Sequence, residues 1–193
     1  VLRMWWVMES SAVLPEQRRS MLRWTWLALL VIVLDQVTKL WANAALQLHM
    51  PQQVFTGFNL TLSYNSGAAF SFLAGAGGWQ RWFFIVLALL VSGYIVYWLR
   101  RLGPQDRPLA VALALILGGA LGNVIDRIWL GHVVDFIDVY YLSKDCLPFF
   151  GQAIGNRGGS CHWPAFNIAD SAITLGALLL VIDSFSSRHK ATN

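Results

Sequence analysis

From Trp82 to Leu99, and again from Pro108 to Ile125, the chain runs eighteen residues without a charged side chain. About 20 residues at 1.5 Å each cross the ~30 Å of hydrocarbon in a bilayer. A helix is the economical form for such a run, because it satisfies every backbone N–H and C=O within the segment. Two further stretches meet the same test: about 24–41, apolar until Asp35, and about 165–185, interrupted by Asp170 and Asp183. Only 12% of the residues are charged, about half the share of an ordinary soluble domain. At 193 residues, of which 56% are hydrophobic, a water-soluble core could not hide this much apolar surface. The expected fold is a mainly α membrane protein of four transmembrane helices. The ten tryptophans and eleven phenylalanines suit its lipid face and the membrane–water boundary better than a cofactor box.

The spans order the rest of the chain. A polar tail over 1–20 precedes a single domain over 21–187, and a short tail over 188–193 follows. With the N-terminus inside, the inner side receives Arg3, Arg18, Arg19, Arg23, Arg100, Arg101, Arg107, Arg188 and Lys190. Lys39, Arg81, Arg127, Lys144 and Arg157 fall outside or at outer helix ends. The short loop from Arg100 to Arg107 carries the most weight, since short loops obey the positive-inside rule best. Both termini are therefore placed in the cytoplasm. The net charge of +4 is read as this topology signal, with no nucleic-acid partner. Arg18, Arg19 and Arg23 before an apolar core and Ala42-Asn43-Ala44 resemble a cleavable signal peptide, but Asp35, Gln36 and Lys39 interrupt that pattern, and the segment is read as retained.

The extracytoplasmic segments, 42–81 and 126–164, have a pattern of their own. Phe58, Leu60, Leu62 and Tyr64 alternate with Asn59, Thr61, Ser63 and Asn65, a period of two that predicts a strand with one buried face. Asn65-Ser66-Gly67 then predicts a turn. His132 to Tyr141, rich in β-branched and aromatic residues, predicts a second strand. Together they predict a small outer sheet, with Asp135 and Asp138 on opposite faces.

The charges inside the greasy segments carry the chemistry. Asn123, Asp126 and Arg127 lie at i, i+3 and i+4, one face of a helix. Gly118 and Gly122 let another helix approach closely. Asn167 and Asp170 repeat the Asn-x-x-Asp spacing, and with Pro164 as a first helical residue Asp170 would lie about 9 Å, two turns, inside its helix. Asp35 and Lys39, four apart, and the neighbours Asp126 and Arg127 are read as structural ion pairs. Asp138, Asp145, His132 and His162 are read as solvated, and no spacing supports a metal site. Asp183, near the inner end, is given no role. Asp135 and Asp170 resist such readings, because neither has a basic neighbour in sequence. Two carboxylates brought together at low dielectric share a proton and divide into an acid and a base. That pair could hydrolyse a carbonyl compound with water; the spacing alone fits the relay of a small proton-coupled transporter nearly as well.

The segments LDQVTKLW, YNSGAAFSFL, GGALGNVIDR, HVVDFIDVY and FNIADSAI, in this order on four spans, resemble the lipoprotein signal peptidase (signal peptidase II) family from about Met21 to Ser187. The resemblance implies an aspartic intramembrane protease of the bacterial inner membrane that cuts prolipoproteins just before their lipid-modified cysteine. Its active site would face the periplasm and a small extracytoplasmic sheet would cradle the substrate. It implies Asp135 and Asp170 as the catalytic pair, supported by Asp35, Lys39, Asn65, Gly67, Asn123, Asp126, Arg127 and Asn167. No cofactor is expected; the partners are lipid-modified prolipoproteins and membrane lipid, and the protein is expected to act as a monomer. One departure is an insertion at about 142–162, which holds the only cysteines, Cys146 and Cys161. On the outer side of the membrane they are expected to form a disulfide.

Overall fold

In a computed structural model, four helices carry the apolar runs. Residues 20–67, 78–143, 145–148, 151–152 and 159–191 are described, so the N-terminal tail lies outside them. A 3-10 turn over Met21–Trp24, capped by Ser20 Oγ accepting from the Leu22 N–H at 3.2 Å, leads into α1, Thr25–Ala45. Helix α2 is Trp79–Arg101, and α3 is Arg107–Trp129 with Pro108 in its first turn, where a missing N–H costs nothing. Helix α4 is Ile168–Ala191, so most of the expected C-terminal tail continues it. All four are long and apolar enough to cross a membrane.

The bundle is built around α3. More than half of its apolar window is buried (56%), against 17–28% for the other three, and it packs against α1, α2 and α4. Its glycines allow this. A Cβ on Gly118 would sit 2.7 Å from the Ala28 carbonyl oxygen, and one on Gly122 would sit 2.7 Å from Asp35 Oδ2. Two contacts not singled out in the sequence do the same for α4: Gly119 against the Ala169 backbone, and Gly176 with 2.7 Å to the Ala112 carbonyl. Backbones at this spacing leave no room for lipid between the helices. The lipid-directed faces of α1 and α2 keep Leu29, Leu40, Trp82 and Leu90 exposed.

At the end of the bundle where α1 and α3 stop lies an antiparallel sheet, larger than the two strands expected. Strands β1 (Gln52–Phe55), β2 (Phe58–Asn65), β3 (Val133–Leu142), β4 (Gly151–Gln152) and β5 (Ser160–His162) are ordered β1-β2-β3-β5-β4. Ala42 and Leu46 from α1 pack with Leu62, Val134 and Phe136 and fasten sheet to bundle. The predicted alternation in β2 is broken. The register shifts between Leu60 and Ser63, and Asn59, Thr61 and Leu62 are all buried, while Tyr64 is exposed. A bulge of this kind turns consecutive side chains out of the simple pleat.

One boundary, the start of the last helix, differs from expectation. Phe166 exchanges backbone hydrogen bonds with Ile137 (3.0 and 2.8 Å) and accepts another from Phe136 (3.0 Å). Pro164 and Ala165 are therefore extended, and α4 starts only at Ile168. Asp170 lies in the first turn of α4 and not two turns down.

Cys146 and Cys161 are joined, 15 residues apart, with Cys161 fully buried on β5. Closing a loop of that size is worth about 3 kcal/mol at most. Reduction, or Cys146→Ser, is expected to lower the unfolding temperature measured in detergent; an unchanged transition would contradict a stabilising bridge.

Candidate active site

The site grows from a lysine that has no access to water. Lys39 is 2% exposed and Asp35, one turn earlier on α1, is fully buried. Lys39 Nζ lies 2.8 Å from Asp35 Oδ2 and 2.9 Å from Asp126 Oδ2 of α3. Its third hydrogen bond goes to Asn123 Oδ1, 3.0 Å away. An ammonium has three donors and no acceptor, so these partners satisfy it. The carboxylates are satisfied as well: Asp35 Oδ1 accepts the Ala169 N–H of α4 at 2.9 Å, and Asp126 Oδ2 accepts the Val134 N–H of β3 at 3.1 Å. Gln36, which sequence reasoning passed over, donates to Asp126 Oδ1 (2.9 Å), to Asp35 Oδ2 and to the Gly122 carbonyl. A polar residue beside an acid in an apolar span was its only signal. One buried charge cluster thus joins α1, α3, α4 and β3.

The expected pair between Asp126 and Arg127 does not form. Neighbours on a helix point about 100° apart, and Asp126 turns to Lys39. The Arg127 guanidinium instead donates to the Gly67 carbonyl at 2.8 Å and to the Asn123 carbonyl at 3.3 Å, and it lies over the Phe84 ring. Gly67 is held in turn by its N–H, which donates to Asn65 Oδ1 at 3.0 Å and closes the predicted turn.

Three asparagines place the two remaining acids. Asn123 Nδ2 donates to Asp170 Oδ1 at 2.8 Å. Asn167 Nδ2 donates to Asp135 Oδ1 at 2.7 Å, while its Oδ1 accepts the Asp170 N–H at 2.9 Å and caps α4. Asn65 Nδ2 donates to Asp135 Oδ2 at 3.2 Å. Asp135 and Asp170 thereby line one cavity of about 810 Å³ with Asn65, Asn123 and Arg127. One wall is Trp163 to Phe166; the floor runs down α4 over Ile173, Leu175 and Leu178. Asp135 is 2% exposed, and burial together with the Asp170 charge pushes its carboxyl up to about 7, against the opposing amide donors.

Several outer residues stand elsewhere than expected. Asp138 is buried, not solvated: it accepts from Asn59 Nδ2 at 2.7 Å and lies 2.8 Å from His162 Nδ1. His162 also stacks on Tyr140, and its Nε2 is 3.1 Å from Ser160 Oγ. The sheet is wider than two strands: β5 pairs along an edge of β3 and brings His162 against Asp138. Asp135 and Asp138 do serve different groups, as opposite faces require. His132 is half-buried against Tyr64, and burial lowers its affinity for a proton. Asp145 is exposed. Among the described residues no group of three His, Cys, Asp or Glu is placed to hold a metal.

The chain is similar to known proteins in sequence and in fold. A family model described as signal peptidase (SPase) II matches residues 27–186. The lipoprotein signal peptidase of Pseudomonas putida is 51% identical over 172 residues, 89% of this chain and 91% of that protein. That of Aeromonas hydrophila subsp. hydrophila is 49% identical over 173 residues, 89% and 93% of the two chains. Among solved structures, a bacterial membrane enzyme determined by the in meso method at 2.3 Å resolution superposes with a TM-score of 0.69 at 30% identity, covering 86% of this chain and 89% of that one. A second, at 1.9 Å, gives 0.64 at 31% identity, covering 83% and 91%.

Proposed function

The chain belongs to the signal peptidase II family, and from that premise we propose that it cuts prolipoproteins on the N-terminal side of a diacylglyceryl-modified cysteine, with Asp135 and Asp170 as the catalytic pair. The observation that carries the assignment is Asn167, whose one side chain touches both acids' surroundings: its amide nitrogen holds Asp135 and its amide oxygen holds the backbone of Asp170.

The chemistry follows from their unequal settings. Asp135, raised to about 7, is still partly protonated at neutral pH, and its protonated form acts as the acid. Asp170, in the first turn of α4, carries the negative charge, which the helix N-terminus favours. A water held between them gives a proton to Asp170 as its oxygen attacks the scissile carbonyl, and Asp135 donates its proton to the carbonyl oxygen. The tetrahedral diol then collapses: its hydroxyl returns a proton to Asp135, the C–N bond breaks, and Asp170 gives its proton to the departing nitrogen. The products are a carboxylic acid and an amine, and the pair is back in its starting state.

The apolar floor over Ile173, Leu175 and Leu178 suits acyl chains entering sideways from the bilayer. With Arg100, Arg101 and Arg107 between α2 and α3, the termini lie in the cytoplasm and the sheet end faces the periplasm. A transmembrane proton relay fits less well, since Asp35, Asp126, Asp135 and Asp170 gather where bundle meets sheet and form no path across.

The test is cleavage, in detergent or lipid, of a prolipoprotein peptide with and without diacylglyceryl on its cysteine. Cleavage confined to the lipidated peptide is the expected result. Equal rates on both would remove lipid recognition, and no cleavage by folded protein would redirect the work to proton flux.

A further inference from the structure

We propose that Lys39 is a positioning residue that decides which of the two acids carries the charge: acting through Asn123, it holds Asp170 as the carboxylate and leaves the proton on Asp135. The inference rests on the dyad assigned above and concerns how its two members are made unequal.

The argument begins with an amide that has no choice of orientation. Lys39 Nζ can only donate, so the Asn123 atom 3.0 Å from it must be the oxygen. The Asn123 nitrogen is then necessarily the atom 2.8 Å from Asp170 Oδ1, and an NH₂ group needs an acceptor there. A cation on the oxygen of an amide also polarises its N–H, so the lysine's charge is passed along the hydrogen-bonded chain. Asp135 receives two amide donors, from Asn65 and Asn167; the other partners of the Asn167 side chain among the described residues, the Asn123 amide oxygen, the Val134 carbonyl and the Asp170 N–H, are all neutral. Neutral donors satisfy a carboxyl group; the cation breaks the symmetry.

The charged groups around the pair are few. Helix α1 contributes Asp35 and Lys39, α3 contributes Asp126 and Arg127, β3 contributes Asp135, and α4 contributes Asp170. Arg127 also faces Asp170, but its donors go to the Gly67 and Asn123 carbonyls, so it has no direct bond to either acid. Lys39 is wired to Asp170 by hydrogen bonds through one intervening side chain. Asp35 and Asp126 take two of the three ammonium donors and leave the third for Asn123.

Lys39→Met alone strands two buried carboxylates, so the variant to make is Lys39→Met with Asp126→Asn, which leaves the net charge of the cluster unchanged. Lys39→Gln with Asp126→Asn is the second variant should the first not fold. The readout is the pH profile of kcat/KM for the lipidated peptide, beside that of the parent and of Asp126→Asn. The acid limb of the double variant is expected to move to higher pH by about one unit, with kcat below the limb lowered about tenfold and KM little changed. The limb of Asp126→Asn should stay with that of the parent. An unshifted limb in the double variant, with activity kept or uniformly scaled down, overturns the proposal. So does a folded double variant that cleaves at no pH, because a positioning role leaves turnover available once pH supplies the ionisation. Parent-level cleavage by Asp135→Asn or Asp170→Asn is a different failure: it removes the dyad itself, whereas an unshifted limb beside an essential dyad removes only the role of Lys39.

Discussion

Asparagine at position 135 or at position 170 is expected to lower kcat/KM by about a thousandfold while leaving the fold intact. Each change keeps the volume and removes the ability to move a proton, and acid–base groups of this kind contribute about 10²–10⁴ in rate. The stability of Asp135→Asn provides a second check with a definite sign. The Asp135 carboxyl titrates at about 7 in the fold, above its ordinary value of 3.8. Between those values the native state binds a proton that the unfolded chain has released, so stability falls as pH rises through that window, and the full penalty is present above about 7. An uncharged asparagine escapes it. The variant should therefore unfold at higher temperature than the parent in mildly alkaline buffer, with the difference shrinking towards about pH 4. Cleavage at parental rates would remove Asp135 from the mechanism. A variant less stable than the parent at every pH would mean that burial does not penalise this carboxylate.

Lys39→Met by itself is expected to be among the most damaging single changes in the chain. Asp35 and Asp126 are 0% and 2% exposed and share the ammonium at 2.8 and 2.9 Å. Removing one partner from a buried ion network leaves uncompensated charge and costs about 3–5 kcal/mol. The same network fixes the Ala169 and Val134 N–H groups, so the loss spreads to α4 and β3. Thermal unfolding in detergent, with Lys39→Met beside the charge-conserving double variant, measures it. A single variant as stable as the double one would show that the cluster holds its charge by other means.

How far the sequence could be read depended on the range of the interaction. Charge-free runs and the Asn-x-x-Asp spacings are local, and they led to four helices and to the acids that line the cavity. The Asp35–Lys39 pair at i, i+4 was legible for the same reason. Partner choice between distant segments was not. Asp126 prefers Lys39, 87 positions away, to its neighbour Arg127, because the buried ammonium needs a second anion while Arg127 can spend its donors on carbonyls. Asp138 and His162 looked like solvated loop residues, since neither is an apolar position; only the pairing of β3 with β5 brings them together. The late start of α4 was hidden too: Pro164 is a good first helical residue, and backbone pairing of Phe166 with Ile137 overrides it.

The two acids ride on different bodies, Asp135 on the sheet and Asp170 on the bundle. Catalytic competence is therefore also a gauge of how the sheet is seated on the helices. The sheet rests at the water boundary, while the helices answer to bilayer thickness by tilting. Asn167 and the Phe166–Ile137 backbone bonds couple the two, so a host membrane too thin or too thick would load those links. With Asp135 and Asp170 as the proposed pair, turnover should pass through an optimum as the acyl-chain length of the surrounding lipid is varied.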